Sequence, residues 1–289
     1  MNTQTRRRIS AGQELVLLLR EYFRILIGNR RDLLVTLLFP VIASFITVWI
    51  AGENMFVTYE GTKSACFVLV SAAIWGGLFN SIQTIVKDRD MIKRNLVSGG
   101  MRLWCYTFSR AVLQFILCAV QSAILCTSFL GVSWRYGSEL PADGILGPHL
   151  LLEYFISLLL LTYAADTMGL MISCIVKKAE TASVLAPYIL IVQLIFSGIL
   201  FTLKGAADKV SLLMLSRWGM EALGSISNVN DLPLKMQEEV PNLPHEAEDM
   251  FLWTPEHLRR VWLVLLIFAL AFLAVGNLLL HRVRKDARD

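Results

Sequence analysis

Apolar positions in this chain fall in long runs rather than in a two- or three-residue rhythm, and those runs set the architecture. A bilayer core about 30 Å thick takes roughly 20 apolar residues of helix at 1.5 Å each. Six stretches reach that length, at 33–51, 64–86, 105–130, 150–176, 181–203 and 261–280. Only Lys177, Lys178, Ala179 and Glu180 lie between the fourth and the fifth, which makes them a tight helical hairpin. The fifth is the least regular, because Pro187 sits inside it and Ser197-Gly198 is placed to break its outer end. The fold class predicted is all-α: a polytopic membrane protein, one transmembrane domain over 1–289, with an N-terminal interfacial helix, six spans and short external helices before the last span.

Outside the spans the pattern changes. Over 10–28, Leu15, Leu18, Leu19, Tyr22, Phe23, Leu26 and Ile27 repeat at three- and four-residue intervals, while Gln13, Glu14, Arg20, Glu21 and Arg24 take the other face. That is an amphipathic helix too polar to span, suited to the membrane interface. Packing on a soluble partner is the competing reading. Gly28-Asn29 ends the helix and turns the chain into the first span.

The loop 87–104 begins as a charged extension of the second span. In it Asp90 and Arg94 are spaced to pair across one helical turn, and Ser98-Gly99-Gly100 breaks the helix. A shorter external loop, 131–148, is rich in Gly and Pro. The longer segment 204–260 starts with an apolar stretch, 210–226, too short to span and suited to dip into the outer leaflet. Pro233, Pro241, Pro244 and Pro255 then call for turns, and Glu238, Glu239, Glu246, Glu248, Asp249 and Glu256 make this part acidic.

Composition agrees with burial in lipid. Apolar residues make up 55% of the chain and charged residues only 17%, against roughly 25% charged in soluble domains; mean hydropathy is +0.58. The net charge of +4 matters less than its placement. Arg6, Arg7, Arg8, Arg20, Arg24, Arg30 and Arg31 precede the first span, and Lys87, Arg89, Lys93, Arg94 and Arg102 follow the second. Lys177 and Lys178 lie in the hairpin, and Arg282, Arg284, Lys285 and Arg288 in the tail. The two short loops of the other side hold only Lys63 and Arg135. The basic side is therefore expected in the cytoplasm, with both termini there and the protein multi-pass in the cell membrane.

No cleavable leader is expected, since the N-terminal cations lead into an amphipathic segment. Cys66, Cys105, Cys118, Cys126 and Cys174 all fall in spans or at their ends and read as small apolar fillers rather than a disulfide framework. Nothing interleaves basic and aromatic residues in the manner of a nucleic-acid surface.

Reactive chemistry is sparse. There is no GxxxxGK[ST] phosphate loop and no GxSxG, and His149, His245, His257 and His281 are scattered without metal-ligand spacing. No catalytic, cofactor or metal residues are expected in this chain. Polar residues at membrane depth are the better candidates, because lipid makes them costly. Asp166 lies eleven residues before Lys177, about 16 Å of helix and near the midplane. It reads either as a pathway or gating residue or as a structural partner inside the bundle. Arg110 can reach the interface along its stem and reads as structural. Gln83, Gln114, Gln121, Gln193 and Asn277 are expected to face other helices.

Three local stretches, with the topology, resemble a known family. Residues 87–114 (KDRDMIKRNLVSGGMRLWCYTFSRAVLQ) are similar to the coupling region of the permease half of type-2 ABC exporters, close to the G-subfamily fold, with Asp88-Arg89 where Glu-Arg is usual. The stretch Phe196-Ser197-Gly198-Ile199-Leu200-Phe201 resembles that family's element at the outer end of the fifth span. Residues 216–224 (SRWGMEALG) resemble the external helix of bacterial members, some of them fused to an ATPase carrying a phosphopeptide-binding module.

The resemblance implies a mechanism and partners. Two six-span units, copies or paralogues, would form the pathway, driven by ABC ATPase subunits that bind ATP and magnesium. Lys87, Asp88, Arg89, Asp90, Lys93 and Arg94 would couple to the ATPase. Phe79, Gln83, Leu190 and Leu194, together with Asp166, would be the pathway candidates. The absence of a fused ATPase and of external cysteines favours a bacterial-type stand-alone subunit. A membrane channel or scaffold without an ATPase is the alternative, and an integral membrane transferase lacks clustered acid or base residues.

Overall fold

A computed structural model describes residues 10–51, 55–97, 102–137, 141, 143–201, 203–232 and 248–285, with the backbone alone for 95–97 and 281–285. The helices are α1 (Ala11–Gly28), α2 (Arg30–Ala51), α3 (Tyr59–Ser81), α4 (Thr84–Val97), α5 (Leu103–Arg135), α6 (Leu150–Ile175), α7 (Ala179–Ile195), α8 (Ala206–Ser211), α9 (Leu215–Ile226) and α10 (Pro255–Lys285). No strand occurs among the described residues. Five helical segments are long and apolar enough to cross a membrane: α2, the α3–α4 run, α5, α6 and α10.

Helix α7 is the sixth apolar helix, and it is shorter than the 181–203 span expected of it. It has 17 residues, about 25 Å of helix. Pro187 is tolerated on its exposed face, and the chain leaves the helix at Phe196. Gly198 then adopts a φ of +83°, a turn for which an L side chain would be strained.

Helix α6 is the centre of the bundle. Buried residues fill 61% of its apolar window, against 22% in α2 and in α10; it packs on α3, α10, α5 and α9. The tightest approach is to α3. A Cβ on Gly77 would run into the Thr162 carbonyl and lie 3.0 Å from the Asp166 amide. On the other side, a Cβ on Gly169 would sit 2.8 Å from the Leu78 carbonyl. Gly77, Ser81, Ala165, Gly169 and Ser173 form small-residue rows at four-residue spacing, which let the two backbones meet.

The α3–α4 run is interrupted at Ile82-Gln83. There the amides of Ile85 and Val86 donate to the Ser173 hydroxyl of α6, at 3.0 and 3.1 Å. A side chain from another helix thus satisfies two backbone donors beside the interruption.

Helix α1 forms over the expected residues, but its faces divide differently: Phe23 and Ile27, expected on the apolar side, are exposed beside Arg20 and Arg24, while Glu14 turns inward to Arg102. Its Ser10 and Gln13 make a reciprocal capping box, and Asn29 ends it. It lies against α5, with Tyr22 buried and Leu18 and Leu19 packed beside it. At the opposite end, α9 does more than dip into a leaflet. It is buried over almost its whole length among α3, α6 and α10.

Gln193 of α7 joins it there: its side-chain oxygen accepts the Ser216 amide at 3.1 Å and its carbonyl accepts the Ser216 hydroxyl. Asn230 clamps the chain on both sides of the acidic stretch, donating to the carbonyls of Glu248 and Phe251 and accepting the Glu248 amide. The expected break at Ser98-Gly99-Gly100, the turns at Pro233, Pro241 and Pro244, the acidic Glu238, Glu239 and Glu246, and Arg6, Arg7, Arg8 and Arg288 lie outside the described residues.

Candidate coupling site

Helix α4 has two faces. Lys87, Asp90 and Arg94 follow three- and four-residue spacing and are exposed. Asp88, Arg89 and Lys93 are half-buried, and Ile92 is fully buried. The sequence treats these charges as one group, but the fold divides them between an outward face and a face held by the bundle. The expected Asp90–Arg94 pair is not formed among the described residues, although both side chains are exposed.

The inner face is fixed by polar contacts. The Asp88 carboxylate accepts from the Tyr106 hydroxyl at 3.0 Å and forms an ion pair with Arg110. The Arg110 guanidinium lies over the Tyr22 ring, 3.7 Å from its centroid, and Tyr22 meets Tyr106 edge-on at 6.0 Å. Desolvation pushes the Tyr22 phenol up to about 12, against the opposing pull of Arg110, so it stays neutral.

Next to this knot, Arg89 donates to the Val176 carbonyl at 2.8 Å, at the C-terminus of α6 where a cation complements the helix dipole. Glu14 of α1 accepts the Arg102 amide at 2.7 Å, 3.8 Å from the Arg102 guanidinium. Side chains of α1, α4 and α5 and the end of α6 therefore meet at one locus. Arg110 is structural as read from sequence, but its partner is Asp88 of α4.

The pathway candidates do not share one surface. Phe79 is exposed and stacks on Trp75, centroids 5.1 Å apart. Gln83 donates to the Ser183 hydroxyl of α7. Leu194 is half-buried, and Leu190 is buried in the core.

Asp166 is fully buried, and neither carboxylate oxygen has a hydrogen-bond partner among the described residues. Its backbone carbonyl accepts from the Ser81 hydroxyl at 2.5 Å. A ladder of amides runs close by: Asn80 and Gln121 exchange hydrogen bonds at 2.6 and 3.2 Å, and Gln114 donates to the Asn80 carbonyl. Asn277 accepts from Thr107. The intramembrane amides thus face other helices, as their cost in lipid requires.

Sequence reasoning missed a second charged cluster, at the α9 end. Arg217 donates to Glu221 at 2.9 Å and lies 3.4 Å from Asp208, with His257 3.9 Å from Glu221. The one available signal was the four-residue spacing of Arg217 and Glu221 in SRWGMEALG. Among the described residues, no three His, Cys, Asp or Glu side chains gather as a metal-binding set.

Comparison with known proteins agrees with this architecture. The family model for the ABC-2 type transporter matches residues 13–226, which take in α1 to α9. An ABC transporter ATP-binding/permease protein of Mycobacterium tuberculosis is 24% identical over 215 residues, 70% of this chain. The chain spans only 24% of that relative's length. A bundle of membrane-spanning helices, with a charged helix fastened beneath it and a family match over most of its length, places the chain in the ABC-2 type transporter family, as a membrane-spanning component of an ABC transporter.

Proposed function

We propose that the chain forms the translocation pathway of an ATP-driven exporter, as one of two such units, and that an ABC ATPase acts on it through α4. The observation that carries this reading is the locus at Asp88. A helix with Lys87, Asp90 and Arg94 exposed on one face is held on the other by Tyr106, Arg110 and the Val176 carbonyl. A push on the exposed face is passed to α5, α1 and α6 together, because packed elements move as bodies rather than deform smoothly. The positive bias of this end supports a cytoplasmic position, where ATP is available. The ATPase supplies binding and hydrolysis of ATP with magnesium, and no residue of this chain takes part in that step.

In the arrangement described, Phe79 is exposed on α3 and faces away from the chain's own core, as a pathway side chain shared with a second unit would. Leu190 and Asp166 are closed off and reach a pathway only if α3, α6 and α7 separate. The Mycobacterium relative, named as both ATP-binding protein and permease, supports the pairing with an ATPase.

The test is cross-linking in the assembled transporter. A cysteine at Lys87 or Arg94 is expected to cross-link to the ATPase. A cysteine at exposed Leu266 of α10 is not. Cross-linking through α10 and not α4 would refute the reading.

A further inference from the structure

We propose that the outward face of α1 is a binding surface for anionic phospholipid headgroups. It rests on the interfacial placement of α1 given above and adds the chemistry of what that face selects. Residues 16 and 20, 20 and 23, 20 and 24, 23 and 27, and 24 and 27 lie three or four apart, so these positions make a single stripe opposite buried Tyr22. On it Val16 is 62% exposed, Phe23 48% and Ile27 49%, and Arg20 and Arg24 are exposed between them. Water is a poor neighbour for such an apolar row, and it continues directly into exposed Leu34, Val35 and Leu38 of the spanning helix α2. The stripe therefore sits where acyl chains begin.

The charges point the same way. Arg20, Arg24, Arg30 and Arg31 are all exposed, and none makes an ion pair among the described residues. Glu14, the carboxylate that could answer them on the inner side of α1, is taken by Arg102. Glu21 is exposed on the flank of the helix, and Asp32 is held by Asn29. Arg30 and Arg31 open α2, where the helix dipole disfavours cations, so helix stability does not account for them. Unpaired guanidiniums beside an apolar row fit a phosphodiester with its acyl chains, and the two-pronged geometry of Arg suits the phosphate oxygens. Net negative lipids then bind in preference to zwitterionic ones.

The full chain is reconstituted in vesicles of equimolar phosphatidylglycerol and phosphatidylcholine, and the lipid that remains bound is counted by native mass spectrometry. Phosphatidylglycerol is expected to dominate, and Arg20→Gln with Arg24→Gln to reduce the preference by about fivefold for each arginine. Equal retention of the two lipids, or a preference unchanged in the double variant, overturns the proposal. A Val16→Cys variant separates this failure from a failure of the interfacial placement, since the native cysteines are all buried. Protection of that thiol from a membrane-impermeant reagent in vesicles of either lipid, without headgroup preference, overturns the headgroup selection alone. Labelling as fast in vesicles as in detergent overturns the placement itself, and the proposal with it.

Discussion

Asp88 of α4 and Arg110 of α5 form an ion pair that neither residue's own helix could supply, and their side chains are only 24% and 18% exposed. The pair joins a charged helix outside the spans to a spanning helix. Tyr106 and Tyr22 complete it, one donating to the carboxylate and the other facing the guanidinium.

Removing either partner leaves the other half-buried and unpaired. Asp88→Ala and Arg110→Met are each expected to destabilise the protein by about 1.5–3 kcal/mol, the range for hydrogen bonds to charged groups. The double variant is expected to cost less than the sum. Chemical denaturation of the four proteins in detergent checks this. Strict additivity would show that the two residues do not interact.

Two adjacent glycines give a sharper contrast. A Cβ on Gly76 meets only the Gln121 amide at 3.9 Å, whereas one on Gly77 meets the backbone of α6. Gly76→Ala is expected to be neutral or stabilising by about 0.4–1 kcal/mol. Gly77→Ala is expected to cost about 1–3 kcal/mol or more by forcing α3 from α6. Thermal midpoints of the two variants decide it, and equal midpoints would contradict the close packing.

At Asp166, neither carboxylate oxygen holds a hydrogen-bond partner among the described residues, so no side-chain hydrogen bond to them contributes to the packing of α6. Asp166→Leu is then expected to be neutral or to stabilise by about 1 kcal/mol, since it removes an unpaired buried polar group. Asp166→Asn is expected to fold as the parent does. Transport lost in both variants, with folded yield preserved, assigns the residue to the transport cycle. Loss of folded protein in both would show a structural bond.

The spans were legible because hydropathy over twenty residues is a property of the local chain, and lipid imposes it directly. Helix α1 and its Gly28-Asn29 end were legible from local spacing, but the face it buries was not, since Phe23 and Ile27 stay exposed beside Arg20 and Arg24. The interruption at Ile82-Gln83 was not legible, because the group that takes up the amides beyond it is the Ser173 hydroxyl of a helix some ninety residues later. Local spacing favoured Asp90–Arg94, while the fold pairs Asp88 with Arg110 across two helices. The burial of α9 also depends on neighbours, since a twelve-residue helix cannot declare by length what will enclose it. Family position groups the pathway candidates together, whereas burial divides them between exposed Phe79 and enclosed Leu190.

In the proposed cycle, work from an ATPase enters through α4 and passes inward at Asp88 and Arg89. The most direct test is transport per ATP hydrolysed in the reconstituted complex, normalised to folded protein, for the parent and for Asp88→Ala with Arg89→Ala. Coupling of this kind is typically worth about 5–150-fold, so transport is expected to fall by about tenfold or more while hydrolysis continues near the parent rate. An unchanged ratio of transport to hydrolysis in the double variant would contradict the claim.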